Sequence, residues 1–493
     1  MSKPLVQVVP IRPRPAELFI QLLGESGFSE AREQAVRLTR RLNGRRIWNI
    51  NSTAAGGGVA EMLHTLLAYA RGFGVDTRWL VISGSPEFFR VTKRLHNALH
   101  GERGDGSRLD GTAHEIYDEV TAANAAELEH VIDSDDIVIL HDPQTAGLIP
   151  YLSRRGIGAF WRCHIGMDEP SAEASAAWKF LAPYLTEARA FVFSRFAYLP
   201  DELYHGRCLI SAPSIDPFSP KNQLMDDVTA RAILRHIDVI AETGNNASRH
   251  FTRSDGSIAT VNRRADIVRE GPPPAASAPL VVQVSRWDRL KDPVGVLRGF
   301  CRAISLGAPS DAALVLAGPS VKAVADDPEG GEVFEEVVQC WRALPREQRR
   351  RVHLVNLPMD DLQENAAMVN ALQRYATTVV QKSLREGFGL TVTEAMWKGK
   401  PVIASAVGGI QDQIEHGVSG LLLKRPADLD AYAGSIVQVL NNPGLAARLG
   451  ENARRRVMKN YLGLRIVSNY DDLVERLEHD QPEPHTDVVG DTV

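Results

Sequence analysis

Cysteine is scarce and scattered. Only Cys163, Cys208, Cys301 and Cys340 occur, with no C-x-x-C pair among them. That argues against a disulfide framework or a zinc site and fits a reducing, cytoplasmic setting. No apolar run approaches the roughly 18–20 residues of a spanning helix. The opening MSKPLVQVVPIRPRP has no apolar core of signal-peptide length. A surplus of one charge is missing too: 56 Lys and Arg against 61 Asp and Glu give a formal net charge of −5. This near-neutral balance sets aside nucleic acid and anionic membrane as main partners. No repeat of solenoid period is visible. What remains is an ordinary globular balance, 44% apolar and 24% charged, over 493 residues. That is chain enough for two large domains or three smaller ones, with sizeable cores.

The order of short apolar runs and longer amphipathic stretches predicts the architecture. Residues 1–44, broken early by Pro4, Pro10, Pro13 and Pro15, read as an extension with a basic helix over 29–42. Strands are expected at 46–50, 78–82, 137–141, 158–161 and 190–193, with a helix over 59–70. A polar stretch, 240–270, then interrupts the pattern as an insertion, and 271–279 (GPPPAASAP) reads as a linker. A second series follows: strands 280–284, 313–317, 352–356, 377–381, 401–404 and 420–423, alternating with helices at 292–305, 332–344, 362–375, 390–398 and 428–441. The expected fold class is α/β, two doubly wound Rossmann-like domains facing each other across a cleft, over 45–270 and 280–460. The acidic, proline-containing end, 478–493, is expected to be disordered. In such sheets ligands sit beyond the carboxyl ends of the strands, so the loops there carry the chemistry.

Three loops stand out. The first, 51–58 (NSTAAGGG), leads into a helix, and its glycines let the backbone approach an anion at the helix N-terminus. G-x-G-x-x-G is absent, which disfavours a nicotinamide dinucleotide. The second, 285–292 (SRWDRLKD), places Arg286 and Lys291 where two cations suit a diphosphate. The third, 385–399 (REGFGLTVTEAMWKG), spaces Glu386 and Glu394 around glycines and a helix start. Carboxylates accept from paired hydroxyls, so this pair suits a sugar or a ribose. Asn51-Ser52-Thr53 and Asn246-Ala247-Ser248 fit glycosylation sequons, read as accidental in a chain with no secretion signal.

The segment from Glu386 to Glu394 resembles the E-x7-E motif of retaining glycosyltransferases with two Rossmann-like domains (the GT-B type, family 4). NSTAAGGGVAEML, WRCHIG, SRWDRLKDP and SLREGFGLTVTEAMWKGKPVIASAVGGI together are similar to the trehalose synthases that transfer glucose from a nucleotide donor to glucose. The resemblance covers about 46–215 and 280–470. It implies that Arg286 and Lys291 neutralise the donor diphosphate, with the amides of Gly57 and Gly58. It implies that Glu394 binds the donor ribose, while Glu386 and the Gly387, Phe388, Gly389 and Leu390 backbone hold the transferred glucose. His164 matches the family's active-site histidine near the reacting sugar; Asn51, His96, Asn97 and Asp142 are candidate acceptor contacts. A C-terminal helix crossing back over 461–477 is implied as well.

The implied reaction is a front-face displacement that keeps the anomeric configuration, without the carboxylate nucleophile of retaining glycosidases. Asp133-Ser134-Asp135 and Asp428-Leu429-Asp430 read as structural, so no metal and no other cofactor is expected. The expected partners are a nucleoside diphosphate glucose and glucose or trehalose, with no nucleic acid and no membrane, and with a homodimer admitted. The base, whether uracil, adenine or guanine, would sit near Gly318 and Leu357-Pro358. A trehalose phosphorylase of the same fold, and a non-catalytic sugar-nucleotide sensor, are the competing readings.

Overall fold

The computed structural model describes residues 4–54, 58–169, 171–201, 203, 208–241, 247–321 and 328–479. Gly57 and Asn246, both singled out in the sequence, lie outside them, as do 480–493 of the expected tail. The chain forms two compact units. One runs to Ala212 and resumes at Gly463; the other is Pro213–Leu462.

The first unit holds a seven-stranded sheet: β1 (Val6–Val8), β2 (Ile47–Asn51), β3 (Thr77–Ile82), β4 (Ile137–His141), β5 (Ala159–Cys163), β6 (Ala190–Phe193) and β7 (Cys208–Ile210). Their order is β1-β3-β2-β4-β5-β6-β7. Only β1 runs antiparallel to its neighbour. Alternation sends Ile47, Ile137 and Ile139 to one buried face, under the helices Ile20–Leu42 and Ile466–His479. It sends Trp48, Ile50, Val138 and Leu140 to the other.

In the second unit a helix, Asp227–His236, precedes a hairpin of β8 (His250–Thr252) and β9 (Ile258–Thr260). It continues with β10 (Asp266–Val268), β11 (Leu280–Val284), β12 (Ala313–Pro319), β13 (Val352–Leu357), β14 (Thr378–Gln381), β15 (Val402–Ser405) and β16 (Leu421–Leu423). The order is β10-β13-β12-β11-β14-β15-β16, again with only the first strand antiparallel. In both sheets the strand order reverses between two adjacent parallel strands, β2 and β4 in one and β11 and β14 in the other. That reversal opens a crevice at the carboxyl edge.

Each unit is thus the doubly wound α/β fold expected from the sequence, but three boundaries change. Residues 1–44 are no separate extension: β1 pairs with β3, and Ala35, Leu38 and Leu42 enter the core. Arg41 bonds Asp471 (2.6 Å) and Glu478 (2.8 Å) on the last helix, Ile466–His479. The polar stretch 240–270 belongs to the second unit, where Arg253 pairs with Asp361, Arg263 with Glu364, and β10 borders the sheet. The 271–279 segment therefore lies inside that unit: Ala241 N donates to Pro274 O at 2.8 Å, and Tyr375 OH donates to Ala276 O.

Candidate functional site

At the β11/β14 crevice the two loops from the sequence reading meet. The Lys291 ammonium lies 2.8 and 2.7 Å from the two carboxylate oxygens of Glu386. Ser383 Oγ adds a donation to the same carboxylate at 3.1 Å. Backbone ties hold the loops in register: Leu384 N donates to Leu290 O at 2.7 Å, and Gln283 Nε2 to Lys291 O at 3.1 Å. Beneath them the fully buried Lys382 ammonium pairs with Asp292, whose other oxygen caps the helix Pro293–Ser305 through Gly295 N at 3.0 Å. Arg286 is different. Its side chain is 68% exposed and reaches Asp288 on its own loop at 3.2 Å.

The loop Glu386–Gly389 packs against 408–410 with no room for a side chain. A Cβ on Gly408 would sit 1.9 Å from the Glu386 carbonyl oxygen, and Gly409 N donates to Gly387 O at 2.7 Å. Gly389 takes φ 82° and begins the helix Leu390–Trp397 with no side-chain cap. Amides at an uncapped N-terminus suit an anion or a sugar hydroxyl.

One turn into that helix lies Glu394, buried at 5% exposure. Its Oε1 is 3.3 Å from Lys221 Nζ. Its Oε2 is buried with no hydrogen-bond partner among the described residues. A buried acceptor left unmatched is costly, so its persistence points to a ligand donor. Behind it, Lys398 Nζ donates to the Glu394 carbonyl (3.1 Å) and to Asn222 Oδ1 (2.9 Å). Burial pushes that ammonium well down from its ordinary range. Lys221, Asn222 and Ser383 were not found from the sequence, because a polar residue in a polar stretch carries no periodic signal. Gly318, proposed to border the base, is covered by Trp287: a Cβ there would meet the indole at 2.7 Å.

In the first unit Asn51 ends β2, and Asp142 and His164 directly follow β4 and β5, side by side on the carboxyl edge. Both ends of the Asn51 amide serve the protein: Nδ2 donates to Thr53 O at 2.8 Å and Oδ1 accepts from Trp79 Nε1 at 2.8 Å. Gly58 starts the helix Gly58–Gly72. His96 and Asn97 sit on the helix Pro86–Leu99 rather than on a strand-end loop, and burial pushes the His96 imidazole down to about 4. Asp142 holds φ 64° and accepts from His164 N at 2.8 Å. His164 Nε2 lies 3.0 Å from Nδ1 of His141, a residue that in the sequence is only the end of an apolar strand.

Burial pushes the Asp142 carboxyl up to about 7, against donation from His164 N and the Arg162 charge. Its folded value therefore exceeds its unfolded value of 3.8. The folded state holds a proton that the unfolded chain has released, so this group's contribution falls as pH rises from about 4 to about 7. Asp142→Asn should flatten that part of the stability profile in thermal unfolding. An identical slope in the variant would show an ordinary, ionised carboxylate.

The comparisons agree with the geometry. Residues 49–200 match the family model for the trehalose synthase N-terminal domain, and 278–456 that for glycosyl transferases group 1. A trehalose synthase of Pyrococcus horikoshii is 34% identical over 464 residues, 94% of this chain and 97% of its own. The chain belongs to the trehalose synthase family. A trehalose phosphorylase of Pleurotus sajor-caju is 27% identical over 83% of this chain and 54% of its own. Among solved structures, an α,α-trehalose-phosphate synthase (UDP-forming) from Burkholderia xenovorans in complex with glucose-6-phosphate has a TM-score of 0.59 at 17% identity, covering 88% of this chain and 100% of that one. At that identity the likeness is one of fold, and the fold is GT-B. As a member of the trehalose synthase family the chain is a glycosyltransferase, as the E-x7-E segment implied. No helix among the described residues is long and apolar enough to cross a membrane.

Proposed function

We propose that this glycosyltransferase moves glucose from a nucleoside diphosphate glucose to glucose, forming α,α-trehalose with retention, and runs in both directions. The observation that carries the nucleotide half is the buried Glu394 Oε2, which has no hydrogen-bond partner among the described residues. A ribose hydroxyl is a neutral donor that would satisfy it, whereas inorganic phosphate, which a phosphorylase would use, would bring negative charge up to a buried carboxylate. Lys291 and Arg286 then meet the diphosphate, whose negative charge grows as the glycosidic bond breaks. Glu386, held by Lys291 and Ser383, has a fixed carboxylate for sugar hydroxyls. His164 lies beside the reacting sugar. Burial, with the Arg162 charge, holds its pKa well below the usual range, so at neutral pH it is a neutral hydrogen-bond partner and not an acid. With no carboxylate nucleophile to attack the sugar, the leaving diphosphate oxygen takes the acceptor's proton. The protein contributes orientation and charge stabilisation.

The reading includes no metal. Asp428 caps the helix Leu429–Leu440 through Ala431 N at 3.0 Å, Asp430 pairs with Arg302, and Asp133 pairs with Arg46 before β4. Each of these three side chains thus has a structural duty. The test is direct. Nucleotide should be released from nucleoside diphosphate glucose only when glucose is present, at a rate unchanged by exhaustive chelation. A chelator-sensitive rate restored by magnesium or manganese would overturn the metal-free mechanism. Binding without release would make the protein a sensor.

A further inference from the structure

Alternation along β2 and β4 places Asn49 and His141 on the same face as Ile137 and Ile139, the face packed under the helix Ile466–His479. Both ring nitrogens of His141 are engaged. Nε2 lies 3.1 Å from Asn49 Oδ1, and Nδ1 lies 3.0 Å from His164 Nε2. The two rings lie nearly in one plane, with centroids 5.3 Å apart and planes 9° apart, as an in-plane N–H···N bond requires. The Asn49 amide is itself oriented, because its Nδ2 donates to Thr77 Oγ1 at 3.1 Å and to Tyr470 OH at 2.9 Å. Thr77 and Tyr470 are in turn 3.1 Å apart, oxygen to oxygen.

This arrangement fixes the protons. Asn49 Oδ1 can only accept, so His141 Nε2 carries the hydrogen. A neutral imidazole holds one such hydrogen, so His141 Nδ1 presents a lone pair and His164 Nε2 must donate to it. Burial and the Arg162 guanidinium keep both rings neutral. The remaining nitrogen, His164 Nδ1, is then an acceptor, and it has no partner among the described residues.

We propose that His141 is a positioning residue for the transfer: anchored through Asn49 to Tyr470 on the last helix, it locks His164 as the Nε2–H tautomer and turns Nδ1 outward to accept a substrate hydroxyl. This rests on the reading that puts His164 beside the reacting sugar. It also gives the last helix a function, since the far end of the chain sets the tautomer of a residue after β5. A wrong tautomer leaves the ring in place but offers a donor where an acceptor is needed.

Histidine-labelled 15N NMR of the full chain should show a protonated Nε2 and an unprotonated Nδ1 for His164. His141→Gln should lower kcat about 10–100-fold, the range seen when a partner orienting a functional histidine is lost. The donor KM should stay nearly constant, because the proposed diphosphate contacts lie in the other unit. Tyr470→Phe should give a smaller loss in the same direction and mix the two tautomers, and it decides the matter if the His141 variant does not fold. A native His164 protonated at Nδ1, or a folded His141→Gln enzyme with full kcat, would overturn the proposal. His164→Ala separates the two levels. If it loses turnover while His141→Gln does not, only the positioning role falls. If it keeps full turnover, His164 is not at the sugar and the proposal falls with that reading.

Discussion

Lys291→Ala should lower kcat by roughly 10²–10³-fold, the effect of removing one preorganised charge or donor from a site where charge develops. The ammonium is largely enclosed and lies within 2.8 Å of both Glu386 carboxylate oxygens. Its loop is tied to β14's loop through Leu290 and Leu384. The cation is therefore already in place when negative charge builds on the departing diphosphate. Its removal also takes from the Glu386 carboxylate a donor that lies within bonding distance of both its oxygens, while the Ser383 hydroxyl still donates to one of them. Arg286→Ala should act in the same direction and less strongly, because its side chain is mostly exposed and must order itself around the ligand. The kinetic split is informative. If Lys291→Ala raises only KM, the residue is a ground-state clamp, and its transition-state role is wrong.

Glu394→Gln is expected to weaken nucleoside diphosphate binding by about 1–3 kcal/mol, the cost of mismatching a buried polar partner. The carboxylate can accept from two ribose hydroxyls, whereas the amide offers one acceptor and one donor. Loss of the Lys221 contact is a minor part, since Lys221 is 42% exposed and such pairs contribute little. Calorimetric titration with the nucleoside diphosphate measures the effect, and an unchanged Tm confirms that the fold is intact. Equal affinity in variant and native protein would remove the ribose assignment.

The central strands were readable because they are almost wholly buried and mostly apolar: Ile137–His141 and Leu280–Val284 fall where the sequence places them. The three-residue edge strands Val6–Val8, Cys208–Ile210 and Asp266–Val268 were not, since an edge needs neither length nor an apolar run. The unit boundary was misread for a related reason. GPPPAASAP has linker composition, yet its carbonyls accept from Ala241 and Tyr375 inside one unit. The chain actually leaves the first unit at Ala212–Pro213, at the head of a short Pro/Ser stretch (SAPSIDPFSP, 211–220) less marked than the proline cluster of 271–279.

The site divides in the same way. Lys291, Glu386 and Glu394 could be read from spacing, because strand-end loops in a doubly wound sheet converge at the point where strand order reverses. Ser383, Lys221 and His141 could not. Each acts through a contact distant in sequence or hidden in a strand pattern, and only the folded chain brings the partner to it. Asn51 shows the converse. It stands at the right strand end, but its amide is consumed by Thr53 and Trp79.

The measurement that bears most directly on the nucleotide-dependent reading is the reverse reaction. Trehalose would be incubated with uridine, adenosine or guanosine diphosphate, and separately with inorganic phosphate, and the sugar products identified by NMR. The account predicts a nucleoside diphosphate glucose, of α configuration, with at least one nucleotide and no product with phosphate. Glucose 1-phosphate formed from phosphate alone, with no sugar nucleotide from any of the three, would contradict it.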